Sequence, residues 1–443
     1  MGNLMSATTT NSVQAREKKP IAKSRVKNFF SALGPGLITG ASDDDPSGIA
    51  TYATTGAKFG YTCLWTALIT FPLMAGVQYI CAKIGLVNGK GLAGVLKEHY
   101  PKQLLIIAVA LLLIANVINA GTDIGAIAAG INLLFPSLPI PYLVPPIALS
   151  ITLLLLFGSY NLIANTFKWL TLSLFAYIAN AFFLDPDWSK ALWHTFVPTI
   201  KFTPDYLMVL VAILGTTISP YLFLWQATHE VEEEKSRGAA GIIVKGVKKK
   251  KLGEMLVDVS AGMLFSNAVM YFIMFTTAAT LFANETTDIK SAADAAAALK
   301  PFAGEYSSLL FATGMIGAGF LAIPILVGSS AYALGEVFDW RVGLDDKPGK
   351  APQFYTVLVV SMAVAMIINY LGINPMDALF LTAVINGFLA PPMLLLIMLV
   401  ANNKKVMGKH TVGAVPNFLG WSTTILMFFA AAAFGYLTVT GAR

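Results

Sequence analysis

The sequence predicts an all-α polytopic membrane protein, and three observations lead to this prediction. The 443 residues are 56% hydrophobic and only 12% charged, whereas a soluble domain carries about 25% charged residues. The apolar residues gather into stretches of about 20 or more, long enough to cross about 30 Å of hydrocarbon as a helix. Two of these stretches contain polar interruptions in their middle. This composition excludes a large soluble enzyme.

Apolar runs separated by polar or Gly/Pro breaks give about eleven candidate spans, which we number in chain order. They cover residues 34–57, 62–83, 103–133, 140–158, 161–184, 206–230, 257–283, 306–335, 354–371, 376–400 and 417–438. Residues 1–30 are polar and basic, which predicts a disordered tail without a cleavable secretory signal. Residues 31–440 are then a single transmembrane domain.

The positions of Lys and Arg predict the orientation, because cytoplasmic loops retain positive charge. Most of the 30 basic residues fall in the tail and in the loops after spans 2, 6, 8 and 10. The opposite face carries Lys58, Lys190, Lys201, Lys290, Lys300 and Arg443. We therefore expect a plasma membrane protein, in a bacterial inner membrane, with a cytoplasmic amino terminus and an external carboxy terminus. The basic run Lys248 to Lys251 then faces lipid headgroups rather than nucleic acid.

Span 1 contains three consecutive carboxylates, Asp43, Asp44 and Asp45, followed by Pro46 and then Gly48. An intramembrane carboxylate costs about 2.5–3.5 kcal/mol and is usually kept where it faces a cavity or an ion path. Proline and glycine together predict a helix break, and the freed carbonyls and the carboxylates suit a cation. The alternative is a helix that starts later, with the carboxylates as a polar N-cap and Pro46 at the first helical position.

Span 6 is interrupted in a similar way by Gly215, Thr216, Thr217, Ser219 and Pro220. Hydroxyl side chains can bond back to their own helix, and a single proline can merely kink one, so this segment alone is weak evidence. The pairing of interruptions in the first and sixth spans is informative. It predicts a LeuT-like arrangement of two inverted five-helix repeats, with the substrate bound between the breaks near the bilayer midplane.

The two repeats are predicted at about residues 34–184 and 206–400, with an additional helix at about 417–438. No enzyme is predicted, because the histidines are scattered and form no catalytic constellation. They are His99, His194, His229 and His410.

The interrupted segments resemble those of the Nramp divalent-metal transporters. Asp45-Pro46-Ser47-Gly48 stands where that family has Asp-Pro-Gly-Asn, and the segment from Thr216 to Tyr221 stands where it has Ala-x-x-Met-Pro-His. In span 3, Thr122-Asp123-Ile124-Gly125-Ala126 resembles Thr-Asp-Leu-Ala-Glu. The resemblance runs from Gly34 to about span 10.

Several positions depart from the Nramp pattern. The asparagine becomes Gly48, the methionine becomes Ser219, the span 6 histidine becomes Tyr221 and the span 3 glutamate becomes Ala126. This pattern is similar to the Nramp-related magnesium transporters, which implies carriage of Mg²⁺ without proton coupling.

Carried over by this resemblance, Asp45 is the carboxylate ligand, Thr216 offers a backbone carbonyl, and Gly48 and Ser219 are altered ligand positions. A thioether ligand favours transition metals, so its loss removes a filter against Mg²⁺. The smaller side chains leave room for an ion that keeps several waters. We expect Mn²⁺ to be carried as well, and Ca²⁺ to be carried less readily.

Uptake is predicted to be uncoupled from protons, because the four histidines all lie near span ends or in loops and a single carboxylate in span 3 does not make a relay. Asp123 is the only carboxylate of span 3, and a structural hydrogen bond to a neighbouring helix is an equal alternative for it. The residues expected to line the cavity or its vestibule are Asp43, Asp44, Thr217, Tyr221, Asp123, Gln226, Thr382 and Asn386. Three further amides are expected to make hydrogen bonds between helices, with contact to ion-bound water as the alternative: Asn116, Asn119 and Asn267.

Two alternatives remain open at this point. One is a proton-coupled Mn²⁺ or Fe²⁺ transporter, against which the missing methionine and histidine argue. The other is a symporter of small organic solutes on the same fold, although three acidic residues at the break would repel an anionic substrate. The expected partners are a divalent metal ion and the lipid bilayer, with no nucleic acid and no resident cofactor. The protein is expected to function as a monomer.

Overall fold

The computed structural model describes residues 39–40, 42–158, 172–236, 249–344 and 347–440. Several predictions concern residues outside these ranges. They are the basic tail, the start of span 1, the part of span 5 between residues 159 and 171, the loop containing Lys248, and Arg443.

Within the described residues the regular elements are helices, and none is a strand. The main helices follow the predicted spans and take their numbers. They are α1 (Pro46–Phe59), α2 (Trp65–Asn88), α3 (Lys102–Leu134), α4 (Ile140–Phe157), α5 (Phe175–Ala181), α6a (Pro204–Thr217), α6b (Pro220–Ser236), α7 (Lys249–Thr280), α8 (Ser307–Phe338), α9 (Pro352–Ile368), α10 (Pro375–Asn402) and α11 (Ala414–Thr440). Short helices in the connections are Leu92–His99, Trp188–Phe196, Ala292–Ala297, Lys300–Ala303 and Lys404–Met407.

In the described part of the chain, 8 helical segments are long and apolar enough to cross a membrane, counting α6a and α6b as one. Helix α9 is a shorter apolar helix of 17 residues. Large side chains that face outward on α3, α4 and α11 are apolar, as lipid contact requires: Ile107, Ile114, Leu149, Ile425 and Phe429. The prediction of an all-α polytopic membrane protein is confirmed.

The two interrupted helices lie at the centre of the bundle. In the apolar window of α6a and α6b, 89% of the residues are buried, against 28% in the corresponding windows of α4 and α11. Helix α1 packs against α7, α10 and α6a, while α3 packs along α8. The helices that carry the polar interruptions are therefore enclosed by helices that face lipid.

Helices α6a and α10 touch through their backbones. A Cβ atom added to Gly215 would overlap the carbonyl oxygen of Ala383 and the amide nitrogen of Gly387. Small residues that allow such close approach are the usual means of packing helices in membranes. The contact holds the first half of the sixth helix in place directly before its break.

The Gly215→Ala variant is expected to be less stable, because overpacking a close contact costs about 1–3 kcal/mol. Gly435→Ala in α11 is the matched control, since a Cβ there meets nothing within 4 Å. The measurement is the apparent melting temperature of each purified variant in the same detergent. Equal melting temperatures for the two variants would contradict the close contact.

At the end of the bundle predicted to be cytoplasmic, a carboxylate of α8 binds backbone amides in the connection between α2 and α3. Glu336 of α8 accepts hydrogen bonds from the amides of Gly91 (2.7 Å) and Gly94 (2.8 Å), at the start of the Leu92–His99 helix. Two surface ion pairs flank this contact, Lys90–Glu98 and Lys97–Asp339. Together these residues line a cavity of about 600 Å³ that also borders α6b.

Candidate functional site

The first helix is interrupted between its residues 43 and 46. Residues 39–40 and 42–43 are helical, Asp44 and Asp45 are not, and α1 begins at Pro46. Asp45 is the N-cap of α1: its Oδ1 accepts hydrogen bonds from the Gly48 amide and the Ser47 hydroxyl, each at 2.7 Å. The carboxylate thus satisfies donors that the break leaves free.

The predicted break of the first helix is confirmed, and it lies directly before Pro46. Pro46 occupies the first helical position, where its missing N–H is not needed, so the capped geometry considered as the alternative is adopted locally. Gly48 lies in the first turn of α1. A Cβ there would lie 3.0 Å from the Thr216 hydroxyl oxygen and 3.5 Å from the Asp43 carbonyl oxygen. The glycine lets the two interrupted helices meet.

The sixth helix is interrupted at Ile218 and Ser219, between the end of α6a at Thr217 and the start of α6b at Pro220. The Ser219 hydroxyl donates to the carbonyl oxygens of Thr216 (2.7 Å) and Gly215 (3.1 Å). A carbonyl oxygen has two lone pairs, so the Thr216 carbonyl can still accept another ligand. The Thr216 side-chain hydroxyl is buried and has no partner within hydrogen-bonding distance.

Asp45 is contacted from three helices and is 1% exposed. Its Oδ2 accepts hydrogen bonds from Asn119 of α3 (3.1 Å) and from the Tyr221 hydroxyl of α6b (3.4 Å). The same Tyr221 hydroxyl lies 3.2 Å from the carbonyl oxygen of Ser42, on the other side of the first break. In the described parts of the chain no Lys or Arg forms an ion pair with Asp45.

Asn119 makes the expected hydrogen bond between helices, and because its partner is Asp45 it is also a site residue. It lies four residues before Asp123 and therefore on the same face of α3. This spacing is the signal that could have identified it. Asp123 itself is fully buried, and neither of its carboxylate oxygens has a hydrogen-bond partner. The structural hydrogen bond considered for Asp123 is thus not formed.

Asp43 and Asp44 are both fully buried. Both contact one residue of α7: the Ser266 hydroxyl lies 2.7 Å from Asp43 Oδ2 and 3.2 Å from Asp44 Oδ1. Sequence reasoning missed Ser266, because a lone serine in an apolar helix carries no signal of its own.

The other predicted cavity residues are buried at helix contacts. Gln226 Oε1 accepts a hydrogen bond of 2.7 Å from the Thr39 hydroxyl, which links α6b to the first half of the interrupted helix. Thr382 of α10 lies 3.4 Å from the Thr122 hydroxyl of α3. Asn386, also in α10, has a buried Nδ2 without a partner.

Thr217, which was also predicted to line the cavity, and His229 do not join the groups around Asp45. The Thr217 hydroxyl bonds back to the Ile213 carbonyl of its own helix at 2.7 Å, so the structure does not bring it to the ligand group. His229 lies within α6b rather than in a loop and stacks on Trp225, with ring centroids 5.2 Å apart. Neither residue contacts Asp45 through a hydrogen bond.

The groups that converge on the two breaks offer oxygen atoms as possible metal ligands. They comprise the Asp45 carboxylate, the Thr216 carbonyl and the hydroxyls of Thr216, Ser219 and Tyr221. In the residues the structure describes, no three His, Cys, Asp or Glu side chains form a group that could enclose a metal ion.

An all-α membrane bundle whose first and sixth helices are interrupted around a buried carboxylate defines a protein of the LeuT-like fold. The sequence profile described as natural resistance-associated macrophage protein-like, Nramp, matches residues 36–437. The chain therefore belongs to the Nramp family.

Individual proteins agree with this assignment. The divalent metal cation transporter MntH of Caldanaerobacter subterraneus subsp. tengcongensis is 24% identical over 421 residues, which cover 94% of this chain and 95% of that protein. A solved structure of the Eremococcus coleocola manganese transporter matches with a TM-score of 0.73 and 17% identity, over 96% of this chain and 91% of that one. The nucleobase-cation-symport-1 transporter Mhp1 matches with a TM-score of 0.58 and 12% identity, over 92% and 93% of the two chains. The structural matches show that the fold is shared.

Proposed function

We propose that this protein imports Mg²⁺, and also Mn²⁺, as partly hydrated ions by alternating access and without proton coupling. Membership of the Nramp family, and relatives named as divalent metal cation transporters, support the transport of a divalent metal. The choice of ion rests on the possible ligand atoms around Asp45. There the Ser219 hydroxyl, and no thioether, lies beside the Thr216 carbonyl.

Hard oxygen donors favour Mg²⁺, which dehydrates reluctantly and is usually held by one or two carboxylates together with several waters. Asp45 supplies one carboxylate, and Gly48 leaves the space that a larger side chain would fill. Mn²⁺ accepts the same donors and an octahedral shape. Ca²⁺ prefers more ligands at longer distances, so we propose that it is a poorer substrate.

The absence of proton coupling rests on the groups near Asp45. The family's histidine position holds Tyr221, whose ordinary pKa of about 10 keeps it protonated at neutral pH. Asp123 is a single buried carboxylate without a hydrogen-bonded neighbour to pass a proton to. A membrane potential alone can drive entry, since moving a divalent ion through 100 mV releases about 4.6 kcal/mol.

In the proposed cycle, Mg²⁺ enters from an external vestibule and meets Asp45 between the two breaks. One group of helices then rocks against the other, and the ion leaves toward the cytoplasm. The cavity beside Glu336 lies at the face that the basic loops predict to be cytoplasmic, and it is the proposed exit. The protein is proposed to act as a monomeric uniporter in the plasma membrane.

Uptake into proteoliposomes tests this proposal. The purified protein is supplied with Mg²⁺, Mn²⁺ or Ca²⁺ under a set inside-negative potential, while internal pH is recorded. We expect Mg²⁺ and Mn²⁺ to enter at rates that rise with the potential, without internal acidification. Mn²⁺ entry with acidification and no Mg²⁺ flux would identify a proton-coupled transition-metal transporter instead.

A further inference from the structure

The Trp188–Phe196 helix, in the connection between α5 and α6a, exposes large apolar side chains on one side. Leu192, Trp193 and Phe196 are 51%, 62% and 69% exposed. At 3.6 residues per turn they share this side with Trp188, which is also exposed. An exposed apolar face of this kind usually marks contact with a membrane or with another protein.

The other two sides of this helix have different surroundings. Ala191 and Thr195 are buried against the bundle, where the Thr195 hydroxyl lies 2.9 Å from the Tyr271 hydroxyl of α7. Lys190 lies on a third side, where it is exposed and pairs with Asp187 at 3.0 Å. The helix thus has a side on the protein, a charged side suited to water, and an exposed apolar side. This pattern is typical of helices that lie in the plane of the membrane interface.

A groove joins the segment after this helix to the lipid-facing surface of the bundle. It lies between α2, α6a and α11, which belong to membrane-crossing segments, and has a volume of about 100 Å³. Ile200 and Phe202, which follow the helix in the chain, line this groove and are exposed. Phe429 of α11 lines it as well and is one of the side chains that face lipid. The groove is therefore continuous with the surface that contacts the hydrocarbon.

The groove offers only apolar surface to an occupant. Two threonines of α2 are among its lining residues, but their hydroxyls are engaged elsewhere. Thr66 donates to the Cys63 carbonyl at 2.7 Å, and Thr70 donates to Asn267 Oδ1 at 3.1 Å. A space lined in this way stays dry and takes up apolar ligands. A lipid acyl chain is the apolar ligand that the bilayer supplies at this place.

Lysines mark the boundary between this surface and water. Lys201 is exposed between Ile200 and Phe202, and Lys190 is exposed on the charged side of the helix. Long basic side chains at such a boundary keep their ammonium groups at the level of the lipid headgroups. A phospholipid combines a phosphate that suits these ammonium groups with acyl chains that suit the groove. A second copy of this chain would instead bring the same lysines to the contact, where like charges repel.

We propose that the Trp188–Phe196 helix lies in the membrane interface and that a phospholipid binds beside it, with one acyl chain in the groove. The acyl chain then contacts Leu210 and Leu214 of α6a, the half-helix that ends at the second break. The bound lipid therefore touches an element of the candidate site directly. This inference does not depend on which ion the protein transports.

Nitroxide labels on introduced cysteines test the position of the helix, in vesicles of phosphatidylethanolamine and phosphatidylglycerol. Leu192→Cys places the label on the apolar side, and Lys190→Cys, on the charged side of the same helix, is the matched control. The native Cys63 and Cys81 are buried, so the introduced cysteine is the one that reacts. Electron paramagnetic resonance then compares relaxation by oxygen, which concentrates in lipid, with relaxation by a water-soluble nickel complex. We expect oxygen to dominate at residue 192 and nickel at residue 190.

Phospholipid brominated in its acyl chains tests the groove, because bromine quenches tryptophan fluorescence on contact. Trp65 of α2 lines the groove, so the quenching that disappears in Trp65→Phe reports contact there. Ala430→Phe places a ring in the groove and should abolish most of this quenching. Ala432→Phe, at an exposed position of the same helix outside the groove, should leave it unchanged. Melting temperatures show whether each variant is folded.

Two results would overturn the lipid site. A label at residue 192 reached mainly by nickel would place the apolar side in water, and one reached by neither reagent but broadened by a second label would identify another copy of the chain as its partner. Absence of Trp65 quenching in the wild type would show that no acyl chain occupies the groove. Neither measurement involves transport, so these results would leave the proposed function intact.

Discussion

Replacement of Asp45 by Asn is expected to reduce Mg²⁺ and Mn²⁺ uptake into proteoliposomes by about 100-fold or more. Asp45 is the carboxylate at which the two breaks meet, and it accepts four hydrogen bonds from three helices. Removing one partner of a buried charge pair costs about 3–5 kcal/mol, which corresponds to a loss of this size or larger. Asn also caps helices well, so the start of α1 is kept.

Asp187→Asn is the matched control for this variant. Asp187 is likewise a helix N-cap, since its Oδ1 accepts a hydrogen bond of 3.0 Å from the Lys190 amide at the start of the Trp188–Phe196 helix. It is exposed and lies outside the site, so its variant should transport at the wild-type rate. If Asp45→Asn kept more than half of the wild-type uptake while remaining folded, Asp45 could not be the principal ligand.

Replacement of Ser219 by Met is expected to change the preference between ions. The Ser219 hydroxyl bonds the Thr216 carbonyl at 2.7 Å, so a thioether at this position would lie beside the same carbonyl. A soft ligand favours transition metals over Mg²⁺. We expect the ratio of Mg²⁺ to Mn²⁺ uptake to fall by about tenfold or more, the effect of about 1.4 kcal/mol on relative binding.

Two further variants distinguish the effect of a soft ligand atom from the effect of side-chain size at this position. Ser219→Cys supplies sulfur with almost no added volume, and it should shift the ratio in the same direction as Met. Ser219→Ala removes the hydroxyl without adding sulfur, so its ratio should stay near that of the wild type. The measurement is uptake of each ion alone and of both in competition. An unchanged ratio in both sulfur variants would contradict a role for residue 219 in selectivity.

The fold was predictable because the features that determine it, the apolar stretches and their polar interruptions, follow one another along the chain. Hydropathy locates a membrane helix with little ambiguity: span 3 was predicted at 103–133 and α3 is Lys102–Leu134, and span 10 was predicted at 376–400 and α10 is Pro375–Asn402. The position of the first break was not predictable in the same way. A proline can kink a helix or begin one, and the choice depends on contacts such as that between Gly48 and Thr216.

The contacts of the site depend on how each helix is rotated about its own axis. The sequence alone does not determine that rotation. Asn116, Asn119 and Asn267 are all asparagines in apolar helices, yet only Asn119 contacts Asp45. Asn116 bonds Ser329 and Ser330 of α8, and Asn267 bonds the Ala67 carbonyl of α2. All three residues form the expected hydrogen bonds between helices, and that of Asn119 lies in the site.

The hydrogen bonds of Glu336 influence how ionic strength affects the end of the bundle where α8 meets the Leu92–His99 helix. Surface ion pairs such as Lys90–Glu98 and Lys97–Asp339 are screened by salt and contribute little. A carboxylate bound to two backbone amides is partly buried and is screened much less. Any movement that separates α8 from the Leu92–His99 helix leaves these groups unpaired, at about 1–3 kcal/mol for each. The barrier to opening this end should therefore vary with temperature and remain nearly constant as salt is added.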